Sequence, residues 1–362
     1  MSLTGSPLLV VLAVVAVGLP VGLAVRWRRT PAGGSGRRRA GATALRAVAI
    51  LVCQAVAVLA TGVALNRSFV FYNSWSDLLG RQQTGQMAAV SAGTLVPTDG
   101  SQGRVVALTV HGKVSGVTEE VLVWLPPQYG QRAFRKTNFP VLMALPGQPG
   151  TPAGIFKVFD FARNAMAAID RHSVSPFVAV FPPLSIAAPR DTECTDVPRG
   201  PQADSWLATD VREGVARHFR VTPNHWSTMG WSTGGFCAAK MLLRHPTSFD
   251  AAVSIGGYYG AEEDHTTGTL FNHSQVLKHQ NSPLWLLQHS IAYPVHLLIV
   301  TSKADRDSWS GVFYADAKKM VAIAVGVPGV DTILLPAGGH SFKTYLPTVA
   351  PSLDWLGKNA GL

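Results

Sequence analysis

Residues 225–246 read HWSTMGWSTGGFCAAKMLLRHP. The first seven residues have the pattern of a short strand, and the stretch from GGFC to the final proline has that of a helix. The junction reads G-x-S-x-G, with Ser232 between Gly230 and Gly234. A serine on such a sharp turn exposes its hydroxyl, and the glycines let strand and helix pass without a Cβ clash. We therefore predict a nucleophilic Ser232; the alternative is a tight glycine turn with an unused serine.

Strand and helix patterns alternate through the rest of the chain from residue 104 onward. The strand patterns lie at 104–112, 119–126, 139–147, 176–183, 225–231, 249–257, 296–302 and 331–339. The helix patterns lie at 155–170, 205–221, 234–246, around 311–325 and at 341–358. Ser205 or Asp204 is the expected cap of the second helix. This alternation predicts an α/β fold, a mainly parallel sheet with helices on both faces and an antiparallel edge formed by the first two strands.

A nucleophilic serine needs a base, and the base needs an acid that orients it. His340 follows the strand pattern TILLP and lies C-terminal to Ser232, in the chain order serine, acid, histidine. The acid should end the preceding strand, where HLLIVTSKADRDS contains Asp305 and Asp307. We favour Asp305, which comes first after the strand, and keep Asp307 as the alternative acid.

An oxyanion hole is expected from backbone N–H groups near the serine. One donor is Thr233, directly after Ser232. The other should lie in the loop PGQPG (146–150), where the two prolines have no N–H and only Gly147 and Gln148 precede the final glycine.

Several of these segments together resemble a known family. They are LPGQPG (145–150), the run GWSTGGFCAAKMLLRHPTSFDAAVSIGGYYG (230–260), SKADRD (302–307) and AGGHSF (337–342). They are similar to the putative-esterase branch of the α/β-hydrolases, which includes esterase D, enterochelin-type esterases and the secreted mycolyltransferases of actinobacteria. The resemblance covers about 104–360.

This resemblance implies an α/β-hydrolase fold and acyl-transfer chemistry carried by Ser232, His340 and Asp305. It also implies that the second oxyanion N–H belongs to Gln148. The N-terminal part of the chain looks like that of actinobacterial membrane-anchored esterases.

Two uncharged apolar runs precede the α/β region, at about 7–25 and 47–65. About 20 apolar residues in a helix cross a hydrocarbon core of roughly 30 Å, so we predict two transmembrane helices. A cleaved signal peptide needs positive charge before its apolar run, whereas here MSLTGS precedes the run and RWRR follows it. Basic loops stay cytoplasmic, which predicts a two-pass protein of the cytoplasmic membrane with both termini and the catalytic domain on the extracytoplasmic side.

The basic charge of the chain is concentrated in this N-terminal part. Residues 1–66 contain seven arginines and no acid, so the net charge of +10 falls to +3 (10 minus 7) beyond residue 66. We therefore expect no nucleic-acid partner. The predicted organisation is a membrane anchor (1–66), a membrane-proximal segment and linker (67–103) and a catalytic domain (104–362).

The cysteines and remaining histidines bear on redox and metal chemistry. Cys53 lies within the second apolar run, whereas Cys194 and Cys237 belong to the extracytoplasmic part, where oxidation is permitted; a bridge between them and two free thiols are both open. No metal is expected, because H-x-x-x-H spacing is absent among His265, His273, His279 and His289. Nothing in the sequence implies an organic cofactor.

The leading functional hypothesis is a membrane-anchored serine esterase that acts on acyl esters or lipid-like substrates. The second is an acyltransferase with the same triad, in which a sugar or lipid hydroxyl replaces water. A third is a non-catalytic envelope protein built on a hydrolase scaffold.

Overall fold

The computed structural model describes residues 6–28, 36–69, 100–289, 294–305 and 313–362. The chain divides into two compact units, an N-terminal unit of residues 1–86 and a C-terminal unit of residues 87–362. The division falls within the predicted linker, most of which lies outside the described residues.

The N-terminal unit contains helices α1 (Ser6–Arg28) and α2 (Gly36–Phe69). Both contain a segment long and apolar enough to cross a membrane, Pro7–Val25 and Leu45–Leu65. Length and composition are the grounds for this assignment. Many of their large apolar side chains are exposed, among them Val14, Val17 and Val58.

The C-terminal unit is built on one eight-stranded sheet with the order β1-β2-β4-β3-β5-β6-β7-β8. β1 pairs antiparallel with β2, and β2 pairs antiparallel with β4. All other neighbours are parallel. The strands are β1 (Arg104–His111), β2 (Thr118–Leu125), β3 (Val141–Leu145), β4 (Val178–Phe181), β5 (Trp226–Trp231), β6 (Phe249–Ile255), β7 (His296–Ser302) and β8 (Val330–Leu335).

Ten helices of the described part follow or connect these strands. They are α3 (Pro152–Val158), α4 (Phe161–Asp170), α5 (Ala203–Ser205), α6 (Arg212–His218), α7 (Thr233–Arg244), α8 (Gln275–Gln280), α9 (Pro283–His289), α10 (Phe313–Ala324), α11 (Phe342–Tyr345) and α12 (Val349–Ala360). A π-helical segment, Trp206–Val211, joins α5 to α6. The predicted mainly parallel sheet with an antiparallel edge is confirmed.

The helices cover both faces of the sheet because successive strand residues point to opposite faces. In β3, Met143 and Leu145 belong to the core shared with α6, α7 and α10, whereas Leu142 and Ala144 belong to the core shared with α3, α4 and α12. All five β3 residues are buried. A strand covered on both faces reads as a continuous apolar run, which is why β3 has the sequence VLMAL.

The structure differs from the sequence prediction at three helices. The pattern 341–358 forms α11 and α12, which are separated by a 3₁₀ turn at Leu346–Thr348. The pattern 155–170 forms two helices rather than one, because Asp160 takes a left-handed conformation (φ 44°) between α3 and α4. The predicted cap of the helix after β4 is wrong. That helix begins at Ala203; Asp204 contacts His245 and Arg244 instead, and Ser205 contacts Asp196.

Candidate active site

Ser232 forms the turn between β5 and α7, at the carboxyl end of the central strands. Its backbone has φ 56° and ψ −121°, a conformation that is rare for a residue with a side chain and costs on the order of 1–3 kcal/mol. Two hydrogen bonds hold it: the Ser232 N–H donates to the Ile255 carbonyl at 2.9 Å, and the Phe236 N–H donates to the Ser232 carbonyl at 3.0 Å. The strained turn is therefore fixed from both sides.

The glycines of the pentad are required by close backbone contacts. A Cβ at Gly230 would lie 1.9 Å from the Gly234 carbonyl oxygen. A Cβ at Gly234 would lie 2.2 Å from the carbonyl oxygen of Leu145, the last residue of β3. The absence of side chains at these positions lets α7 start directly against β3 and β5.

His340 lies in the loop after β8 and faces the serine. Its Nε2 is 3.0 Å from Ser232 Oγ, within hydrogen-bond distance. The imidazole is stacked on the indole of Trp231, with ring centroids 4.5 Å apart and planes 22° apart. Trp231, the second residue of the G-x-S-x-G pentad, therefore packs against one face of the His340 imidazole.

Asp305 lies just beyond β7, on the other side of the imidazole. Both of its carboxylate oxygens are 3.2 Å from His340 Nδ1, and the residue is 1% exposed. The Tyr345 hydroxyl donates a hydrogen bond to Asp305 Oδ2. Burial, followed by the Asp305 charge, raises the pKa of Tyr345, so the phenol keeps its proton and remains a donor. The alternative acid Asp307 lies outside the described residues.

This geometry determines which tautomer of His340 suits the site. A carboxylate accepts only, so the proton belongs on Nδ1, where it is donated to Asp305. Nε2 then has a free lone pair facing the Ser232 hydroxyl. The arrangement can remove a proton from Ser232 and return it to another group.

The loop after β3 packs against the serine turn. A Cβ at Gly147 would lie 3.2 Å from the Ser232 Cβ and 3.0 Å from Cδ1 of Trp231. The peptide Gln148–Pro149 is cis, and the Gln148 side-chain oxygen accepts a hydrogen bond from Ser185. Thr233, the other predicted oxyanion residue, begins α7 and is buried. The structure thus places both predicted donor segments next to Ser232.

The structure contains a disulfide between Cys194 and Cys237, with Cα atoms 6.0 Å apart. It joins the loop after β4 to α7. Cys53 is a free cysteine in α2.

Sequence reasoning missed a buried polar group beside this disulfide, formed by Glu193, Lys240 and Tyr258. The Lys240 ammonium is fully buried and donates to the Glu193 carbonyl oxygen at 2.7 Å. The Tyr258 hydroxyl lies 2.7 Å from Glu193 Oε1. Burial raises the pKa of Glu193 to about 8 and lowers that of Lys240 to about 8. The sequence signal for this buried group is limited to an acid, Glu193, directly before a cysteine, Cys194.

Comparisons with known proteins identify the class. A sequence model of the family described as Putative esterase matches residues 116–310, more than half of the chain. The chain belongs to this family, and it is an esterase-type enzyme of the α/β-hydrolase class. An uncharacterized protein of Corynebacterium glutamicum is 26% identical over 296 residues, covering 74% of this chain and 66% of that protein. The chain thus spans about two thirds of that relative's length.

Solved structures confirm the predicted α/β-hydrolase fold. An S-formylglutathione hydrolase from Agrobacterium tumefaciens has a TM-score of 0.61 at 16% identity, covering 74% of this chain and 99% of its own. The fluorophosphonate-binding serine hydrolase FphF of Staphylococcus aureus has a TM-score of 0.58 at 18% identity, with coverages of 70% and 98%. MPT51 of Mycobacterium tuberculosis has a TM-score of 0.50 at 13% identity, with coverages of 70% and 97%.

Proposed function

We propose that this protein is a membrane-anchored serine esterase with Ser232 as nucleophile, His340 as general base and acid, and Asp305 as the acid that orients His340. The observation that carries the proposal is the continuous contact from Asp305 through His340 to Ser232, at 3.2 and 3.0 Å. The three residues are brought together from the ends of β7, β8 and β5.

The reaction has two halves. Ser232 Oγ attacks the ester carbonyl while its proton moves to His340 Nε2, and the tetrahedral intermediate collapses as the alcohol leaves with that proton. Water then attacks the acyl-enzyme, gives one proton to His340 and releases the acid as the proton returns to Ser232. Asp305 keeps the imidazole in the required tautomer and stabilises imidazolium. The Trp231 ring beneath His340 adds a cation–π contact to that charged form.

Backbone N–H groups of Gln148 and Thr233 would bind the negative oxygen of the tetrahedral intermediate. The start of a helix leaves its first N–H groups without helical partners, and Thr233 is the first residue of α7. The Ser185 contact to the Gln148 side chain would help to fix the second donor.

The proposed anchor is the N-terminal unit. Its two helices expose large apolar side chains, such as Val14 and Val58, which a hydrocarbon environment would cover. The arginine-rich connection between them supports a topology with that loop in the cytoplasm and the esterase domain on the extracytoplasmic side, because basic loops stay cytoplasmic. Protease added to intact cells should digest the C-terminal unit; its protection would contradict this topology.

Labelling with a fluorophosphonate probe tests the nucleophile. The full-length protein in detergent should be labelled at neutral pH, and Ser232→Ala should abolish the labelling. Ser227→Ala, which changes the serine within β5, is the matched control and should be labelled like the wild type. Absence of labelling in folded wild-type protein would support the scaffold hypothesis instead.

Product analysis separates hydrolysis from transfer. Short- and long-chain acyl esters are incubated with the full-length protein, with and without a trehalose-like sugar. We expect free acid as the main product under both conditions. Acylated sugar in place of free acid would assign the protein to the acyltransferases.

A further inference from the structure

One face of α7 is attached to the loop after β4. Thr233, Cys237 and Lys240 are spaced by four and three residues, which places them along one side of a helix. Cys237 is bonded to Cys194, and Lys240 Nζ donates to the Glu193 carbonyl oxygen. The helix that carries the serine turn is therefore held to residues 193 and 194 at two points.

A third attachment runs through side chains to Thr233 itself. The Tyr258 hydroxyl donates a hydrogen bond to Glu193 Oε1 at 2.7 Å and accepts one from the Thr233 side chain. The Tyr258 ring is stacked on Phe236, one turn further along α7, with centroids 4.7 Å apart and planes 14° apart. Glu193 and Tyr258 are both buried. Glu193, Tyr258 and Thr233 thus form a buried hydrogen-bonded chain that ends next to Ser232.

The backbone at the far end of this chain is strained. Glu193 and Cys194 have φ angles of 45° and 48°, and two adjacent non-glycine residues in this region persist only where their surroundings hold them. The Glu193 N–H donates to Asp191 Oδ1 at 2.8 Å, and Lys240 binds the Glu193 carbonyl. The strained conformation aims the Glu193 side chain at Tyr258.

We propose that Glu193 and Tyr258 are positioning residues of the esterase, which act through Thr233 to hold its backbone N–H in place for the oxyanion. This inference rests on the proposed function of Ser232 and Thr233. Neither Glu193 nor Tyr258 is proposed to contact the substrate. Their effect is to limit movement of the first turn of α7 while charge develops on the substrate oxygen.

The charge of Glu193 bears on the same step. The titratable groups that face it are Tyr258 from the loop after β6, Lys240 from α7 and Asp191 from its own loop. Burial raises the pKa of Glu193 to about 8, so at neutral pH its carboxyl is mainly protonated and places no negative charge beside the oxyanion. The Glu262 N–H donates to Oε2 at 3.2 Å, and the Tyr258 hydroxyl donates to Oε1 at 2.7 Å.

Ionisation above about pH 8 changes the charge of this chain. The Tyr258 hydroxyl already donates to Oε1 and keeps that direction, because a carboxylate accepts only. A negative charge then appears on the chain that ends beside the oxyanion. This charge opposes the reaction, so kcat of the wild type should fall as pH rises through this range.

The test compares Tyr258→Phe and Glu193→Gln with Tyr259→Phe in the full-length protein. Tyr259 is the matched control: it is also buried, and its hydroxyl donates to Ser254 Oγ at 2.9 Å rather than to this chain. The measurements are thermal unfolding and the kcat and KM for a short-chain nitrophenyl ester. The kinetics are followed between pH 6 and 10, a range of about four units that spans the titration of a group with a pKa near 8.

We expect Tyr258→Phe to lower kcat by about tenfold or more and to change KM by less than about twofold. This is the pattern expected when a mutation removes an interaction that stabilises only the transition state. Tyr259→Phe should lose thermal stability to a similar degree without that fall in kcat. Glu193→Gln cannot ionise and should lack the decline in kcat near pH 8. If Tyr258→Phe does not fold, the Glu193→Gln pH profile decides alone.

The proposal is overturned if Tyr258→Phe and Tyr259→Phe have equal kcat, or if Glu193→Gln keeps the wild-type decline. Failure of the proposed function has a different signature. In that case the folded wild-type protein is not labelled by fluorophosphonate at Ser232, whatever the behaviour of these variants.

Discussion

The substitution Asp305→Asn probes the orientation of His340 with the smallest change in volume. Both oxygens of Asp305 lie 3.2 Å from His340 Nδ1, so an asparagine amide would place its own N–H donors against the imidazole. The imidazole would then favour the tautomer with its proton on Nε2, opposite the Ser232 hydroxyl. Loss of the correct tautomer lowers kcat by about 10⁴, equivalent to about 5.5 kcal/mol of transition-state stabilisation at 1.36 kcal/mol per tenfold.

The assay is steady-state hydrolysis of a nitrophenyl ester, with Asp307→Asn as the control and thermal unfolding to verify that both variants fold. We expect KM to change little for Asp305→Asn and kcat to fall by about 10⁴. Asp307→Asn should retain wild-type turnover. The opposite ranking would make Asp307 the orienting acid, and equal activities of the two variants would show that neither residue has this role.

Three further predictions concern the supports of the site. Tyr345→Phe removes the hydroxyl that donates to the buried Asp305 carboxylate, so thermal unfolding should show a loss of about 1.5–3 kcal/mol; unchanged stability would contradict this. Gly234→Ala places a Cβ 2.2 Å from the Leu145 carbonyl oxygen, whereas a Cβ at Gly339 meets nothing within 4 Å. Esterase activity should therefore fall by about 10² or more only in the first variant, and equal activities would refute the argument. Reduction of the disulfide opens a loop with a sequence separation of 43 and should lower the free energy of unfolding by about 4 kcal/mol in a denaturant titration; no change in the midpoint would contradict it.

The part of the site that could be predicted from sequence follows from local patterns and chain order. The G-x-S-x-G turn identifies Ser232, because a strand pattern precedes it and a helix pattern follows it. His340 can be predicted because the carboxyl ends of parallel strands lie at the same edge of a sheet. Asp305 and Asp307 are two residues apart in the sequence, and periodicity does not distinguish them; the contact of Asp305 with His340 Nδ1 is an observation that sequence could not supply.

The supports of the site were beyond sequence reasoning, because they depend on contacts between distant segments. Tyr345 and Asp305 are 40 residues apart, and Glu193 and Tyr258 are 65 apart. The break at Asp160 was missed for a related reason. Helices α3 and α4 both bury apolar residues against the same core, so the helical spacing continues across a left-handed residue that interrupts the helix.

The strained backbone of the site belongs to Ser232, the proposed nucleophile. Ser232 has φ 56°, and the neighbouring residues of β3, β5 and the start of α7 are buried. Such a turn holds the Ser232 hydroxyl at the carboxyl end of the sheet on buried strand and helix residues.

Trapping of the acyl-enzyme tests the central claim most directly. The full-length protein is mixed with a nitrophenyl ester, quenched in acid during the first turnovers, digested and examined by peptide mass spectrometry. The account predicts one added acyl group on the peptide that contains Ser232, and no acylation of that peptide in Ser232→Ala. Turnover of the ester with the acyl group on another residue, or undiminished turnover in Ser232→Ala, would contradict it.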